Sequence, residues 1–150
     1  MEDEVKTHTY KAAGTYQVRI VALSGGAATT EITQSVTVTN LFAAPIPTIP
    51  AANVISMFSD SYTNVAVDTW RTSWSQAELD DIDISGNKTK KYSKLNFVGI
   101  EATTTPIDAS SMTFFHTDIW SSDFTEFKVK LVDFGANGVF GGGDDKEHEI

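Results

Sequence analysis

The chain has 150 residues, with 20 acidic against 11 basic side chains, a net charge of −9 and no cysteine. This charge argues against nucleic acid and anionic membrane surfaces as partners, because both carry phosphate. No apolar run approaches the ~18 residues of a membrane span, and a chain without cysteine has neither disulfides nor thiolate metal ligands.

The two ends of the sequence indicate a piece of a longer protein. The first residues, Met-Glu-Asp-Glu-Val, lack the apolar segment of a signal peptide. The last residues, Glu149 and Ile150, have the pattern of a strand that is only beginning. We therefore expect an internal fragment whose export, if any, is specified elsewhere.

Residues 8–39 have the alternation of a β-hairpin. Tyr16 and Val18 alternate with polar residues, which places the apolar set on one face of a strand. The glycines at 25–26 predict the turn, and residues 30–39 repeat the alternation. A hairpin alone is marginally stable, so we expect further strands to cover its apolar face.

Three motifs in this hairpin match a known type of domain. They are His8-Thr-Tyr10, Gly14-Thr-Tyr16-Gln-Val18 and Val36-Thr-Val38. Together they resemble the end of a PKD domain, an immunoglobulin-like sandwich common in surface proteins and secreted hydrolases. The resemblance implies that residues 1–39 are the C-terminal part of such a domain. The alternative is another immunoglobulin-like hairpin.

Residues 40–52 are predicted to be a linker. Pro45, Pro47 and Pro50 lack backbone N–H donors and favour an extended polyproline conformation. We expect a semi-rigid spacer between two modules.

Residues 53–150 have the pattern of a second all-β domain. The sequence predicts strands at 53–58, 91–100, 112–120 and 127–134. The acidic stretch 73–82 predicts at most a turn or two of helix. Strands spaced about 10–20 residues apart predict a β-sandwich or jelly roll, so the whole chain is predicted to be all-β.

Aromatic and polar side chains in this second domain favour sugar binding. Sugar C–H faces stack on flat rings, and sugar hydroxyls need fixed hydrogen-bond partners. Strand alternation places His116, Asp118 and Trp120 on one face of the predicted strand, and the core residues on the other. The candidate rings are Trp70, Trp74, Trp120, Tyr62 and Tyr92, and the candidate hydroxyl partners are His116, Asp118, Asn96, Gln76 and Arg71.

From these we select Trp70, Trp74, His116, Asp118 and Trp120 as the predicted carbohydrate-binding residues. The alternative for Trp70 and Trp74 is partial burial in a loop that covers the sandwich. For the other three, the alternative is that Trp120 caps the edge of the core and His116 pairs with Asp118 structurally.

Four acidic residues are candidate calcium ligands: Asp60, Asp144, Asp145 and Glu147. Calcium takes about six to eight oxygen ligands, and the preceding glycine loop can turn its carbonyls toward an ion. Asp60 joins the set if the two ends of the sandwich meet. The alternative is a solvated acidic loop, because the spacing is not that of an EF-hand. The histidines show no zinc-ligand spacing.

Catalysis is not expected from this chain. Glu78-Leu-Asp80-Asp-Ile-Asp83 is a near match to a retaining-glycosidase signature, which needs two carboxylates ~5 Å apart. Its last position is the shorter aspartate, and 20 carboxylates make such near matches common. Neither a Gly-x-Ser-x-Gly elbow nor a phosphate-binding loop is present.

Several motifs in order along residues 53–150 match one type of accessory domain. They include Phe58-Ser-Asp-Ser-Tyr-Thr-Asn-Val65, Lys91-Tyr-Ser-Lys-Leu-Asn-Phe97, His116-Thr-Asp-Ile-Trp120 and Lys130-Leu-Val-Asp-Phe-Gly135. Together they resemble carbohydrate-binding-module-like domains of secreted glycoside hydrolases, including laminarinase-type enzymes, of marine Bacteroidota. The family fold is a jelly-roll sandwich, and we expect this chain to be truncated before its final strands.

The resemblance implies a non-catalytic module located outside the cell or on its surface. It would hold a covalently linked catalytic domain near a polysaccharide, such as a β-glucan or another marine glycan. The alternative is a structural or adhesive β-sandwich without glycan specificity.

Overall fold

The structure, a computed structural model, describes residues 7–24 and 28–150. Regular structure in these residues consists of six strands and one short 3-10 helix, Ala51–Asn53. Within the same residues, no helix has the length and apolar character needed to cross a bilayer. The fold is therefore all-β, as the sequence predicts.

The chain divides into two compact units, Met1–Ala43 and Ala44–Ile150. The division falls within the proline-rich segment 40–52. Pro50 precedes the 3-10 helix directly, and its carbonyl accepts the N–H of Asn53 at 2.9 Å. The prolines thus precede the first hydrogen-bonded turn of the second unit.

The first unit contains an antiparallel hairpin of β1 (Gly14–Ser24) and β2 (Ala28–Val38). Tyr16 lies opposite Val36 and Ile20 lies opposite Ile32, so the apolar residues of both strands share a face. The hairpin predicted from the alternation is confirmed. The predicted turn at Gly25 and Gly26 lies outside the described residues.

The second unit contains two more antiparallel hairpins. One is formed by β3 (Gln76–Ile84) and β4 (Asn87–Phe97). The other is formed by β5 (Lys130–Asp133) and β6 (Lys146–Glu149). The three sheets of the described residues are two-stranded, and a jelly-roll sandwich is not seen in them.

Strand β3 corrects the prediction of a helical turn at 73–82. Its acidic residues lie opposite lysines of β4, and the carboxylates pair with them across the strands. Lys90 Nζ lies 2.6 Å from Asp81 Oδ1, and Lys91 Nζ lies 3.7 Å from Asp80 Oδ2. Opposite charges on facing strands stabilise a pairing that the residue composition of β3 alone disfavours.

Two predicted strands are also corrected. Residues 112–120 form no strand, and 53–58 contains only the end of the 3-10 helix and one bridge, from Ser56 to Asn64. An apolar–polar alternation forms a strand only when a second backbone accepts its hydrogen bonds. In the described part of the chain, neither segment is paired along its length. The strand predicted at 127–134 is present in shorter form as β5.

Candidate functional site

A short loop, residues 72–75, precedes β3 and is hydrogen-bonded to Gly99. The N–H of Thr72 donates to the Gly99 carbonyl at 3.1 Å, and the N–H of Gly99 donates to the Ser75 hydroxyl at 3.0 Å. The Thr72 and Ser75 hydroxyls lie 2.7 Å apart, and both residues are buried. The position of Trp74, within this loop, is therefore fixed from both sides.

The indole of Trp74 lies directly against the backbone of Gly99. A Cβ atom at position 99 would overlap the indole and lie 2.8 Å from Thr72 Oγ1. Only glycine allows this approach. The indole nevertheless remains accessible, because Trp74 is 59% exposed.

A second exposed ring and two amides lie beside Trp74. The rings of Trp74 and Phe97 are nearly parallel, with an angle of 24° and centroids 6.2 Å apart. Phe97 lies opposite Gln76 in the sheet, and the Asn96 amide donates to Gln76 Oε1 at 2.8 Å. We call Trp74, Gln76, Asn96 and Phe97 the platform. It combines the flat rings and the fixed planar amides that a sugar ring requires.

An ion pair follows the platform along the hairpin. Lys94 Nζ lies 2.5 Å from Glu78 Oε1, and this hydrogen bond raises the pKa of Lys94. The pairing is irregular between Gln76 and Glu78, and Lys94 has a φ of 51°. A β-bulge of this kind redirects side chains, and here both Asn96 and Lys94 reach partners on β3.

Trp70, a predicted sugar contact, belongs instead to a packed cluster. Its ring meets Phe58 edge-on at 5.3 Å. The Lys90 ammonium lies 5.3 Å from the Trp70 ring centroid and 5.1 Å from that of Phe58. With its side chain only 17% exposed, Lys90 also pairs with Asp81. These are cation–π and packing contacts, and they hold Trp70 apart from the platform.

Three other candidates make local hydrogen bonds. The Tyr92 hydroxyl donates to the Trp70 carbonyl at 2.7 Å, and burial, followed by the charge of Asp81, raises the pKa of Tyr92. The Tyr62 hydroxyl donates to the Ile49 carbonyl at 2.6 Å. Arg71 Nε donates to the Ala77 carbonyl at 2.5 Å. The contacts of Tyr92 and Arg71 join loops to the hairpin, and that of Tyr62 joins two loop segments.

The predicted sugar contacts His116, Asp118 and Trp120 lie in an exposed segment without regular structure. His116 Nε2 is 3.6 Å from Asp118 Oδ2, and Trp120 is 60% exposed. The sequence predicts that His116 lies on the opposite face of a strand from the core residues, and this separation is not observed. His116 lines the same open groove as Phe115 and Ile119, with a volume of about 300 Å³.

The four predicted calcium ligands are held by other partners. Asp60 accepts the N–H of Lys88 at 2.7 Å, and Glu147 Oε2 lies 2.9 Å from Lys130 Nζ. Asp144 accepts the N–H of Ala136 at 2.8 Å, and Asp145 accepts the N–H of Gly141 at 2.7 Å.

The carboxylates of these four residues face hydrogen-bond donors and an ammonium group. Backbone N–H groups and lysines point at the carboxylates, where an oxygen-rich shell is needed. Across residues 7–24 and 28–150, no group of three His, Asp or Glu side chains is arranged to hold a metal ion. Amides of the same loop contact the carboxylates of Asp144 and Asp145, while Asp145 Oδ1 is buried without a hydrogen-bond partner among the described residues. Calcium binding by the four residues stays a prediction.

The structure brings together some predicted candidates and adds two that the sequence did not indicate. Trp74, Gln76 and Asn96 meet on the platform. Phe97 and Gly99 were missed, because their importance depends on the register of β3 and β4. Recognition of β3 from the charges that face each other would have placed Leu95 opposite Gln76, because the bulge that brings Phe97 to this position is visible only in the structure.

Comparison with protein-family models, with curated proteins and with solved structures gave no match to this chain.

Proposed function

We propose that this chain is a non-catalytic polysaccharide-binding module and that the platform is its sugar contact. The observation that carries the proposal is the exposed, nearly parallel pair Trp74–Phe97 beside the hydrogen-bonded amides of Gln76 and Asn96. Rings supply stacking surface for sugar C–H groups, and the amides supply both donors and acceptors for hydroxyls.

The wider setting is part of the same proposal. A PKD-like unit, a proline-rich linker and a carbohydrate-binding unit would form the accessory part of a secreted glycoside hydrolase. The module would act outside the cell and hold the attached catalytic domain near its polysaccharide. Because one stacked ring contributes only ~1 kcal/mol beyond area burial, single-site affinity is weak, and several modules on one polymer increase it.

The test is a titration against laminarin, xylan, cellulose and alginate with a matched pair of tryptophan variants. Trp74→Ala should weaken binding about 5-fold, the equivalent of ~1 kcal/mol. Trp120→Ala is the control, because Trp120 is as exposed as Trp74 but lies outside the platform. If only Trp120→Ala weakens binding, the segment around His116 and Asp118 is the sugar site instead.

A structural or adhesive surface module is the second candidate. It is favoured by the exposed apolar side chains of the first hairpin, Ile20 and Ile32, since a face of this kind suits packing against another protein surface. Absence of binding to every tested glycan would favour this candidate over the first.

A further inference from the structure

We infer that Glu78 makes the platform selective for uncharged glycans by neutralising the cation beside it. The inference rests on the proposed function. It concerns which class of polysaccharide the platform accepts: neutral polymers such as β-glucans, and not polyuronates, which carry a carboxylate on each sugar.

Glu78 lies on the same side of β3 as the platform residue Gln76. Gln76 and Glu78 are exposed and flank Ala77, which is 7% exposed. In a strand, alternate residues point to the same side. Glu78 therefore follows the Gln76 amide on the solvent side of the hairpin.

The ammonium group of Lys94 lies close to the platform. The irregular pairing places Lys94 against Glu78 and Asn96 against Gln76. The lysine is thus one cross-strand pair away from the platform amides. An ammonium at this position would attract a carboxylate on a bound sugar, but Glu78 balances its charge at 2.5 Å.

The remaining lysines of β4 are paired as well. Lys90 pairs with Asp81, Lys91 with Asp80 and Lys88 with Asp60. The lysines of β4 are therefore balanced. Arg71, which lies outside β4 and donates Nε to the Ala77 carbonyl, is unchanged in the wild type and in every variant compared below. Removal of the Glu78 charge would leave Lys94 unbalanced directly beside the amides.

A matched control exists on another hairpin. Lys130 and Glu147 form the same kind of exposed cross-strand pair, at 2.9 Å between β5 and β6. Glu147→Gln changes the net charge by the same amount as Glu78→Gln, but it does so in a different sheet. The pair of variants separates a local effect from a general decrease in negative charge.

The experiment measures binding of laminarin and of calcium-free alginate to the wild-type chain, Glu78→Gln and Glu147→Gln at low salt. Glu78→Gln should bind alginate about 5-fold more tightly than the wild type, as expected for one exposed charge pair. Its laminarin affinity should stay within about 2-fold of the wild type, because the rings and amides are unchanged. High salt should remove the gain.

Two further variants keep the test decisive. The double variant Glu78→Gln/Lys94→Gln should return alginate binding to the wild-type value, and Lys94→Gln alone should not increase it. Circular dichroism checks that each variant keeps its β-structure.

The inference is overturned if Glu78→Gln shows no gain, if Glu147→Gln shows an equal gain, or if the wild type already binds alginate as tightly as laminarin. A wild-type chain that binds none of laminarin, xylan, cellulose and alginate would instead refute the proposed function, and the inference with it. Retained laminarin binding without the alginate gain would refute the inference alone.

Discussion

Trp74 depends for its position on Gly99, a residue without a side chain. The indole occupies the space that a Cβ atom would need, while the hydrogen bonds from Thr72 and to Ser75 prevent the loop from moving away. The exposed ring is therefore held in place before any ligand arrives. Preorganisation of this kind lowers the entropic cost of binding.

Gly99→Ala should therefore displace the indole. We expect a loss of about 1–3 kcal/mol in the free energy of unfolding, the usual range for overpacking, with a shift in tryptophan fluorescence. Chemical denaturation measures the first and emission spectra the second. In a double-mutant cycle, Trp74→Ala should relieve most of the cost of Gly99→Ala. Strictly additive effects would show that the indole is not what the new methyl group meets.

Asp68 provides a residue-scale prediction about pH. Its carboxylate accepts the N–H groups of Thr104 at 2.8 Å and Thr103 at 2.7 Å, and these backbone hydrogen bonds lower its pKa. The folded-state pKa is therefore below the unfolded one. The carboxylate contributes stability above the unfolded-state pKa, and this contribution is lost as the pH falls through the folded-state value.

Asp68→Asn should accordingly flatten the acid side of the stability profile. The melting temperature of the wild type should exceed that of the variant at pH 7. This difference should begin to shrink near about pH 4, the ordinary range of an aspartate, and should disappear at lower pH. Thermal melts across this range measure the difference. A difference in melting temperature that stays constant from pH 7 to pH 3 would contradict the lowered pKa of Asp68.

At the scale of elements, the turn between β3 and β4 sets the register of the platform hairpin. Ser85 and Gly86 both have positive φ, 55° and 84°, as a two-residue type I′ turn requires. The Gly86 N–H donates to Asp83 at 2.7 Å. Serine is not the preferred residue in the first of these positions.

Ser85→Asn should therefore stabilise the chain by about 0.5 kcal/mol, because asparagine tolerates the left-handed conformation better. Gly86→Ala should destabilise it by about 1 kcal/mol or more. Urea unfolding of both variants measures whether each change raises or lowers the free energy of unfolding. A destabilising Ser85→Asn would show that the serine has a contact that the turn geometry does not reveal.

The elements also show what the sequence could predict. The β1–β2 hairpin follows from simple alternation, because Tyr16, Val18 and Ile20 of one strand and Ile32 and Val36 of the other share a face. Strand β3 does not, because its stability comes from lysines on β4 that lie about ten residues away along the chain. The ring of Phe97 could not be assigned to the platform without that pairing.

On the scale of the whole molecule, most large apolar side chains of the described residues remain exposed. Phe114, Phe140 and Trp120 are among them, and Ala77 is the apolar residue that is buried. Two-stranded sheets are marginally stable alone, and their open edges invite pairing with other strands. The proposed jelly-roll sandwich would cover these apolar faces with further strands. Composition and alternation alone predict which apolar residues need to be buried, but they do not predict which segment buries them.

The bulge in β4 has a consequence for insertions and deletions. Three residues, Lys94, Leu95 and Asn96, lie opposite the single Ala77. Loss of one of them would turn Phe97 to the other side of the sheet, although the composition would barely change. Loss of two would leave Phe97 on the same side, but it would remove the amide of Asn96, the ammonium of Lys94, or both. Among related chains, the length of this bulge is therefore a better guide to a conserved platform than the number of aromatic residues.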